Sequence, residues 1–288
     1  METYEPVTVQ LTAAGRPVKI HLFSTGRVAV KSRFRETRVT GLVSTLDFIL
    51  DRRWTEWLPI WVMVIEHPEG IFVIDTGERA VVSDRGYFRT SGVLAEWFDS
   101  SQFRFSVRRE EEVDRQLERL GIGLGDVRAV VLTHLHFDHT DGLCYFPDTP
   151  ILVNRLEWER PFGALPRLWP AWFRPGLLEL EDSLEDFSRI CWLTEARDLA
   201  LVHTPGHTYG HCSVLLRTDG CHVLFAADVC YSQEQLLRGG FAANAASRRM
   251  ARETYRVVKE YGARHPMVFV ASHDGEAGER LEKLQVLI

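Results

Sequence analysis

A short stretch in the middle of the chain, Thr133 to His139, concentrates side chains that bind metal ions. It reads Thr-His-Leu-His-Phe-Asp-His and places three imidazoles and one carboxylate within six positions. These groups would repel one another if every imidazole were protonated, and they would be costly to bury without partners. Divalent metal ions prefer neutral imidazole and carboxylate as ligands. We therefore predict a metal site, with His134 and His136 facing one position and Asp138 and His139 turned toward a second.

Strand-like runs lie before and after this stretch. The β-branched run that begins at Val127 leads directly into it, so the histidines lie on a loop at a strand end, where active sites of sheet proteins collect. A β-hairpin is predicted at Ile60–Glu66 and Ile71–Asp75. Further short strands are predicted at Val127–Thr133, Ile151–Asn154, Leu199–His203, Cys212–Arg217, His222–Ala227 and Val268–Ser272.

Helical patterns are spread among the strands. In Glu110–Gly121, apolar residues recur at helical spacing, acidic residues lead the first turn, and glycine follows the end. Ala245–Tyr261 carries a comparable apolar face. Because no linker rich in proline, glycine or serine divides the chain, we predict one domain over residues 1–288, of the α/β or α+β class.

Two aromatic-rich segments do not resemble regular scaffold: residues 80–108, which include Trp97, and residues 158–178. Four prolines in the second segment break any long helix. Such segments line ligand cavities or subunit interfaces, or simply pack onto a sheet. We expect Trp169, Trp172 and Phe173 to line a pocket for an apolar tail or, alternatively, to form a homodimer interface.

Composition narrows the classes of partner. The formal charge of −6 argues against a broad nucleic-acid-binding face. No apolar run approaches the ~18 residues that span a bilayer, and no signal peptide is visible, so a cytoplasmic protein is expected. Five cysteines without a CxxC pair predict free thiols, not a disulfide framework. Whether Cys230 is reactive stays open.

The motif at 133–139 resembles the HxHxDH signature of the metallo-β-lactamase fold superfamily. Further matches follow in the family's order: His207 in a TPGHT turn, Asp228 and His273 after apolar strands, and Asp75 in an IDTG turn. The matches run from residue 75 to 273 and thus cover most of the chain. The resemblance implies an αββα sandwich, in which two mixed β-sheets lie face to face with helices outside and metals at one edge.

The same resemblance implies which residues hold two divalent ions. One ion takes three histidines, the second takes an aspartate and two histidines, and another aspartate bridges them. The first ion would be held by His134, His136 and His207. The second would be held by Asp138, His139 and His273, and Asp228 would bridge the two. Asp75 would orient a ligand histidine, and His211 would support the ligands. Zinc is the first expectation, although manganese, iron and cobalt accept the same ligands.

Within the superfamily, the chain is most similar to the N-acyl-homoserine lactonases, which are quorum-quenching enzymes. The similarity rests on Phe137 in the histidine motif, the run EHPEG at 66–70, and Asp228-Val229-Cys230-Tyr231. It implies a hydrolase that opens the lactone ring of a small molecule with an apolar tail, by attack of a metal-bridging hydroxide. Tyr231 would donate a hydrogen bond to the oxyanion, and Asp138 would carry a proton to the leaving alkoxide.

One departure from the family concerns Asp141, which stands where the family usually has glycine. Aspartate tolerates the left-handed turn expected there, and it would add a carboxylate near the site. Alternatives to the lactonase are another metallohydrolase acting on a different lactone, ester, thioester or phosphoester, and a non-catalytic metal-binding protein. The segment after His273 is too short for the helical substrate domain of glyoxalase II-like thioesterases.

Overall fold

The computed structural model describes residues 4–37, 47, 50–84, 86–92, 98 and 100–287. Within these ranges, eight strands form one β-sheet and six strands form a second. The first sheet contains β1 (Val7–Ala13), β2 (Arg16–Val30), β3 (Leu58–His67), β4 (Gly70–Ile74), β5 (Phe103–Ser106), β6 (Val127–Leu132), β7 (Ile151–Asn154) and β8 (Gly176–Leu178). The second contains β9 (Asp182–Leu184), β10 (Phe187–Trp192), β11 (Leu199–His203), β12 (Cys212–Leu216), β13 (His222–Ala227) and β14 (Met267–Ala271).

Both sheets are mixed, as the family resemblance implied. In the first sheet the order is β1-β2-β3-β4-β6-β7-β8, and β5 pairs with the far end of β2. Pairing is antiparallel from β1 to β4 and parallel from β4 through β8. The second sheet has the order β14-β13-β12-β11-β10-β9, and its parallel pair is β13 with β14. Parallel neighbours need long crossover connections, and these carry helices.

The described helices are α1 (Ser32–Arg35), α2 (Val113–Arg119), α3 (Phe137–Thr140), α4 (Arg155–Glu159), α5 (Gln233–Arg238), α6 (Arg248–Arg264) and α7 (Ala277–Glu282). The two longest helices, α2 and α6, lie on the outer faces of the sheets. Val113 on α2 packs against the outer face of the first sheet, and Val258 on α6 packs against that of the second. None of the described helices has the length and apolar character needed to cross a membrane.

The inner faces of the two sheets share one apolar core. Leu22 and Val131 of the first sheet lie in the same buried cluster as Val214 and Phe225 of the second. Because each sheet is also covered by helices, its central strands are apolar on both faces. This explains why the central strands read as nearly unbroken apolar runs. The architecture is the αββα sandwich that the motif resemblance predicted.

Every strand predicted from the sequence is present, and both predicted helices are shorter at their starts. The segment expected to be helical from Glu110 begins with a 3₁₀ turn, and its α-helix begins at Val113. The helix expected from Ala245 begins at Arg248, because the Ser247 hydroxyl accepts a hydrogen bond from the Met250 amide and caps it.

The aromatic segments fold mainly against the first sheet. From the first segment, Phe103 begins β5, whereas Trp97 lies outside the described residues. In the second segment, the ring of Trp169 stacks on that of Trp158 with centroids 5.6 Å apart. Phe173 is buried in the apolar cluster on the outer face of the first sheet. Trp172 is 39% exposed. The homodimer interface considered for this segment stays a prediction.

The expected left-handed turn at Asp141 is wrong, since this residue is right-handed with φ −67°. Its side chain is fully buried and accepts two hydrogen bonds from the Arg79 guanidinium, at 3.0 and 2.9 Å. The Tyr87 hydroxyl donates a third, at 2.5 Å. The added carboxylate therefore ties Arg79 and Tyr87 to the histidine-rich loop, and Arg79 compensates its charge.

Candidate metal centre

The seven predicted ligands meet at one edge of the sandwich, where strands of both sheets end. The loop after β6 carries the first two histidines, and the first turn of α3 carries the next aspartate and histidine. Loops after β11, β13 and β14 bring the remaining three from the second sheet. In chain order these residues are His134, His136, Asp138, His139, His207, Asp228 and His273. The sandwich thus assembles one group of ligands from both sheets.

Four side chains form a first cluster: His134, His136, His207 and Asp228. The Nδ1 atom of His136 lies 3.1 Å from His134 Nε2 and 2.8 Å from His207 Nε2. Asp228 Oδ2 lies 3.3 Å from His207 Nε2. The four atoms all lie within 4.8 Å of one another. A tetrahedral ion with bonds near 2.0–2.1 Å needs ligand atoms roughly 3.3 Å apart, so the cluster has the right size.

A second cluster contains Asp138, His139 and His273. His273 Nε2 lies 3.4 Å from Asp138 Oδ2, and His139 Nε2 lies 4.0 Å from Asp138 Oδ1. Asp228 Oδ1 lies 3.3 Å from His139 Nε2 and 3.5 Å from His273 Nε2. One oxygen of Asp228 therefore faces each cluster, which is the arrangement a bridging carboxylate requires.

Hydrogen bonds around the clusters show that acceptor atoms face each other. Thr133 Oγ1 donates to Asp75 at 2.8 Å, so the proton between Thr133 and His134 belongs to His134 Nδ1. The opposite nitrogen of His134 then presents a lone pair to His136 Nδ1. Moreover, His139 Nε2 and Asp228 Oδ1 are buried without a hydrogen-bond partner. Facing lone pairs and buried unpaired atoms are unfavourable unless a cation lies between them.

The two clusters differ in electrostatics. Burial lowers the pKa of His134 and of His207 well below its usual value, so both imidazoles are neutral, as metal ligands must be. Burial also opposes charge on His273, but Asp228 and Asp138 raise its pKa to about 10. The negative field that favours a proton on His273 also favours a divalent cation. The donor set therefore fits two divalent ions.

Neighbouring groups hold the ligands in place. Asp75 accepts hydrogen bonds from His139 Nδ1 at 2.7 Å and from the Thr133 amide at 2.8 Å, so it orients His139 as expected. The His211 Nε2 atom accepts from the Asp228 amide at 3.2 Å, and its Nδ1 donates to the Thr204 carbonyl at 3.0 Å. Burial lowers the pKa of His211 to about 3, which keeps that accepting nitrogen free of a proton.

A further supporting residue, Glu157, was not predicted from the sequence. It is fully buried at α4, and it accepts hydrogen bonds from the Leu135 amide at 3.1 Å and the Thr208 hydroxyl at 2.6 Å. It thereby joins the loop of His134 and His136 to the loop of His207. In the sequence Glu157 is one acid in a charged run, and nothing there distinguishes it from a solvated residue.

A cavity of about 390 Å³ opens onto the clusters. Its polar end contains His136, Asp138, Asp228, Tyr231 and His273. Its other walls are mostly apolar and are formed by Val28, Val30, Phe34, Phe98, Phe103, Phe137, Phe162, Gly163, Ala243 and Asn244. Both aromatic segments contribute to these walls, as predicted.

The prediction that Trp169, Trp172 and Phe173 line this cavity is wrong, because none of them is among its lining residues. Trp169 and Phe173 instead pack against each other, with ring centroids 5.4 Å apart, and against the first sheet. Cys230 is buried beside the site, and its thiol donates to the Ser232 carbonyl at 3.2 Å. Burial raises the pKa of that thiol, which disfavours the reactive thiolate form.

Comparison with known proteins agrees with this geometry. A family model described as the metallo-beta-lactamase superfamily matches residues 55–273. The N-acyl homoserine lactonase AttM of Azorhizobium caulinodans is 30% identical over 247 residues, which cover 78% of this chain and 86% of the relative.

Two solved structures share the fold. One is an N-acyl homoserine lactone hydrolase with N-hexanoyl-L-homoserine bound at its catalytic metal center (TM-score 0.73, 20% identity, 94% of this chain and 96% of that chain). The other is AidC, a dizinc quorum-quenching lactonase in complex with a product (TM-score 0.63, 14% identity, 93% of this chain and 91% of that chain). At sequence identities of 20% and 14%, the structural similarity shows that the fold is shared.

We expect two divalent ions per chain in the purified protein, measured by elemental analysis after desalting. Asp228→Ala should lose both, because its two oxygens face both clusters. Asp148→Ala, which removes an exposed carboxylate, is the matched control and should keep both ions. A fully active protein with one ion or fewer would contradict the dinuclear site, as would an Asp228→Ala variant that retains two.

Proposed function

From the premise that this chain belongs to the metallo-β-lactamase superfamily, we propose that it hydrolyses the lactone ring of N-acyl homoserine lactones. One observation carries the proposal: a cluster of metal-binding side chains forms the polar end of a cavity whose other walls are mostly apolar. A lactone ring with an acyl tail has the same division, since the reacting carbonyl is polar and the tail is apolar.

The ligands proposed for two ions are the seven residues of the two clusters, with Asp228 shared between them. We propose zinc for both positions, because the set consists of imidazole and carboxylate groups and because AidC is described as a dizinc enzyme. Divalent ions bound there supply Lewis acidity toward a carbonyl oxygen and make a water molecule nucleophilic at neutral pH.

Tyr231 is the proposed hydrogen-bond donor to the substrate carbonyl. It lies at the polar end of the cavity, with its ring centroid 5.4 Å from that of His273. Burial raises the pKa of the Tyr231 phenol well above its usual value, and Asp228 and Asp138 add to this effect. The hydroxyl therefore keeps its proton at physiological pH and can donate it in a hydrogen bond as negative charge develops.

Asp138 is the proposed proton carrier. Its carboxylate lines the cavity and lies beside His273, 3.4 Å from Nε2. Burial alone would raise the pKa of Asp138, but His139 and His273 lower it, so the carboxylate is ionised and able to accept a proton. Ring opening transfers one proton from the attacking water to the leaving alkoxide, and we assign this transfer to Asp138.

The apolar walls of the cavity are the proposed binding surface for the acyl tail. Phe137 follows His136 directly, and its ring packs edge-on against that of Phe103, another wall residue, with centroids 6.0 Å apart. The aromatic wall is therefore continuous with the metal-binding loop. A tail bound along it would hold the lactone ring at the metals.

The substrate class is tested by a pH-stat assay of the metal-loaded protein, since ring opening releases acid. We expect kcat/KM for N-acyl homoserine lactones to exceed that for open-chain esters with the same acyl group by at least tenfold. Each additional buried methylene of the tail should contribute up to about 0.8 kcal/mol, or about fourfold, until the cavity is filled. Faster turnover of the esters, thioesters or phosphoesters would overturn the proposal in favour of another metallohydrolase.

Tyr231→Phe should lower kcat/KM on lactones by about 10- to 1000-fold, the cost of losing one oxyanion donor, with metal content unchanged. The matched control is Tyr255→Phe, which removes a hydroxyl that donates to the Gly240 carbonyl in the outer core of the second sheet. The control should retain wild-type kinetics. Wild-type kinetics for Tyr231→Phe on every lactone would remove Tyr231 from the mechanism.

A further inference from the structure

The second aromatic segment contacts a predicted metal ligand through its backbone. The Phe162 carbonyl accepts a hydrogen bond from His136 Nε2 at 3.0 Å. A neutral imidazole has one proton, so this bond places it on Nε2 and leaves Nδ1 as the lone-pair atom. Nδ1 is the atom that faces His134 and His207. The Phe162 carbonyl thus selects the tautomer and ring orientation in which His136 can serve as a ligand.

Gly163 allows this close approach. Its backbone is left-handed, with φ +75°, and a Cβ atom there would lie 2.6 Å from His136 Nε2. Side-chain carbon atoms do not approach a ring nitrogen this closely, so any other residue would displace the imidazole or the segment. Both the conformation and the space at position 163 therefore require glycine.

The segment is held on its other side by the loop that carries His207. The Phe162 ring packs edge-on against the Tyr209 ring, with centroids 6.0 Å apart. The Arg160 guanidinium lies over the Tyr209 ring, 4.2 Å from its centroid. Tyr209 follows His207 by two positions. Residues 160–163 therefore contact both His136 and the loop that carries His207, which are two parts of the first cluster.

We propose that the Phe162–Gly163 backbone is a positioning element that sets how tightly the three-histidine position holds its ion. The Phe162 side chain also lines the cavity and is 41% exposed, so a wall of the tail pocket lies on the same residue as the metal support. Partners of this kind typically change metal affinity by about 10- to 100-fold when they are lost. The inference rests on the proposed metal centre and does not depend on which ester is hydrolysed.

The test compares Gly163→Ala with Gly121→Ala. Gly121 has the same φ of +75°, but a Cβ atom there meets nothing within 4 Å, so both variants carry the same backbone strain and one of them displaces His136. Binding of Co²⁺ is followed by equilibrium titration against a chelator and by visible absorption. We expect Gly163→Ala to bind one of its two ions about 10- to 100-fold more weakly and Gly121→Ala to bind both as the wild type does.

Two further variants keep the test decisive. Phe162→Ala retains the backbone carbonyl but loses the ring contact with Tyr209, so it should weaken the same single ion by less than Gly163→Ala does. Tyr209→Ala loosens the segment from its other side and should weaken the same single ion, which supplies the answer if Gly163→Ala does not fold. Equal affinities in Gly163→Ala, Tyr209→Ala and the wild type would overturn the inference, as would equal loss in Gly163→Ala and Gly121→Ala. A wild type that binds two Co²⁺ ions but opens no lactone would contradict the proposed function and leave this inference standing.

Discussion

The carboxylate of Asp228 lies between two groups of imidazoles, and the rest of the site depends on that position. One oxygen is 3.3 Å from His207 and the other is 3.3 Å from His139. Burial alone would raise the pKa of Asp228, but His273 and His139 hold it well below its usual range. The carboxylate is therefore an ionised, buried group that needs cationic partners on both sides. Two divalent ions satisfy that need.

The fold holds this carboxylate on strained backbone, and the Asp228 amide donates a hydrogen bond to His211 Nε2. Ala227, which precedes Asp228, has φ +48°, and the β13–β14 register shifts at this point. Asp75, on the facing sheet, has φ +60°. Left-handed backbone at residues other than glycine costs about 1–3 kcal/mol and persists where the surroundings over-determine it. The shared core between the sheets supplies those surroundings, because it leaves the strand ends little freedom to relax.

The ligand cluster and the central strands were predictable because each has a direct sequence pattern. Buried strands read as apolar runs, and the seven candidate ligands occur in the order and motifs that the superfamily uses. The sequence does not predict the hairpin of β1 and β2, since its turn at Ala14–Gly15 lacks the usual asparagine or aspartate before glycine. The role of Phe162 was also beyond prediction, because its contact is made by a backbone carbonyl, which every residue has. Trp169 was misplaced because its partner, Trp158, is chosen by tertiary packing.

The proposed site requires two cations, one on each side of the Asp228 carboxylate. Anomalous X-ray diffraction from crystals of metal-loaded protein, measured above and below the absorption edge of the metal, tests this directly. We expect two anomalous peaks, one on each side of the Asp228 carboxylate, with the three-histidine cluster at one and Asp138, His139 and His273 at the other. A single peak, or two peaks that do not share Asp228, would contradict a dinuclear site bridged by this carboxylate.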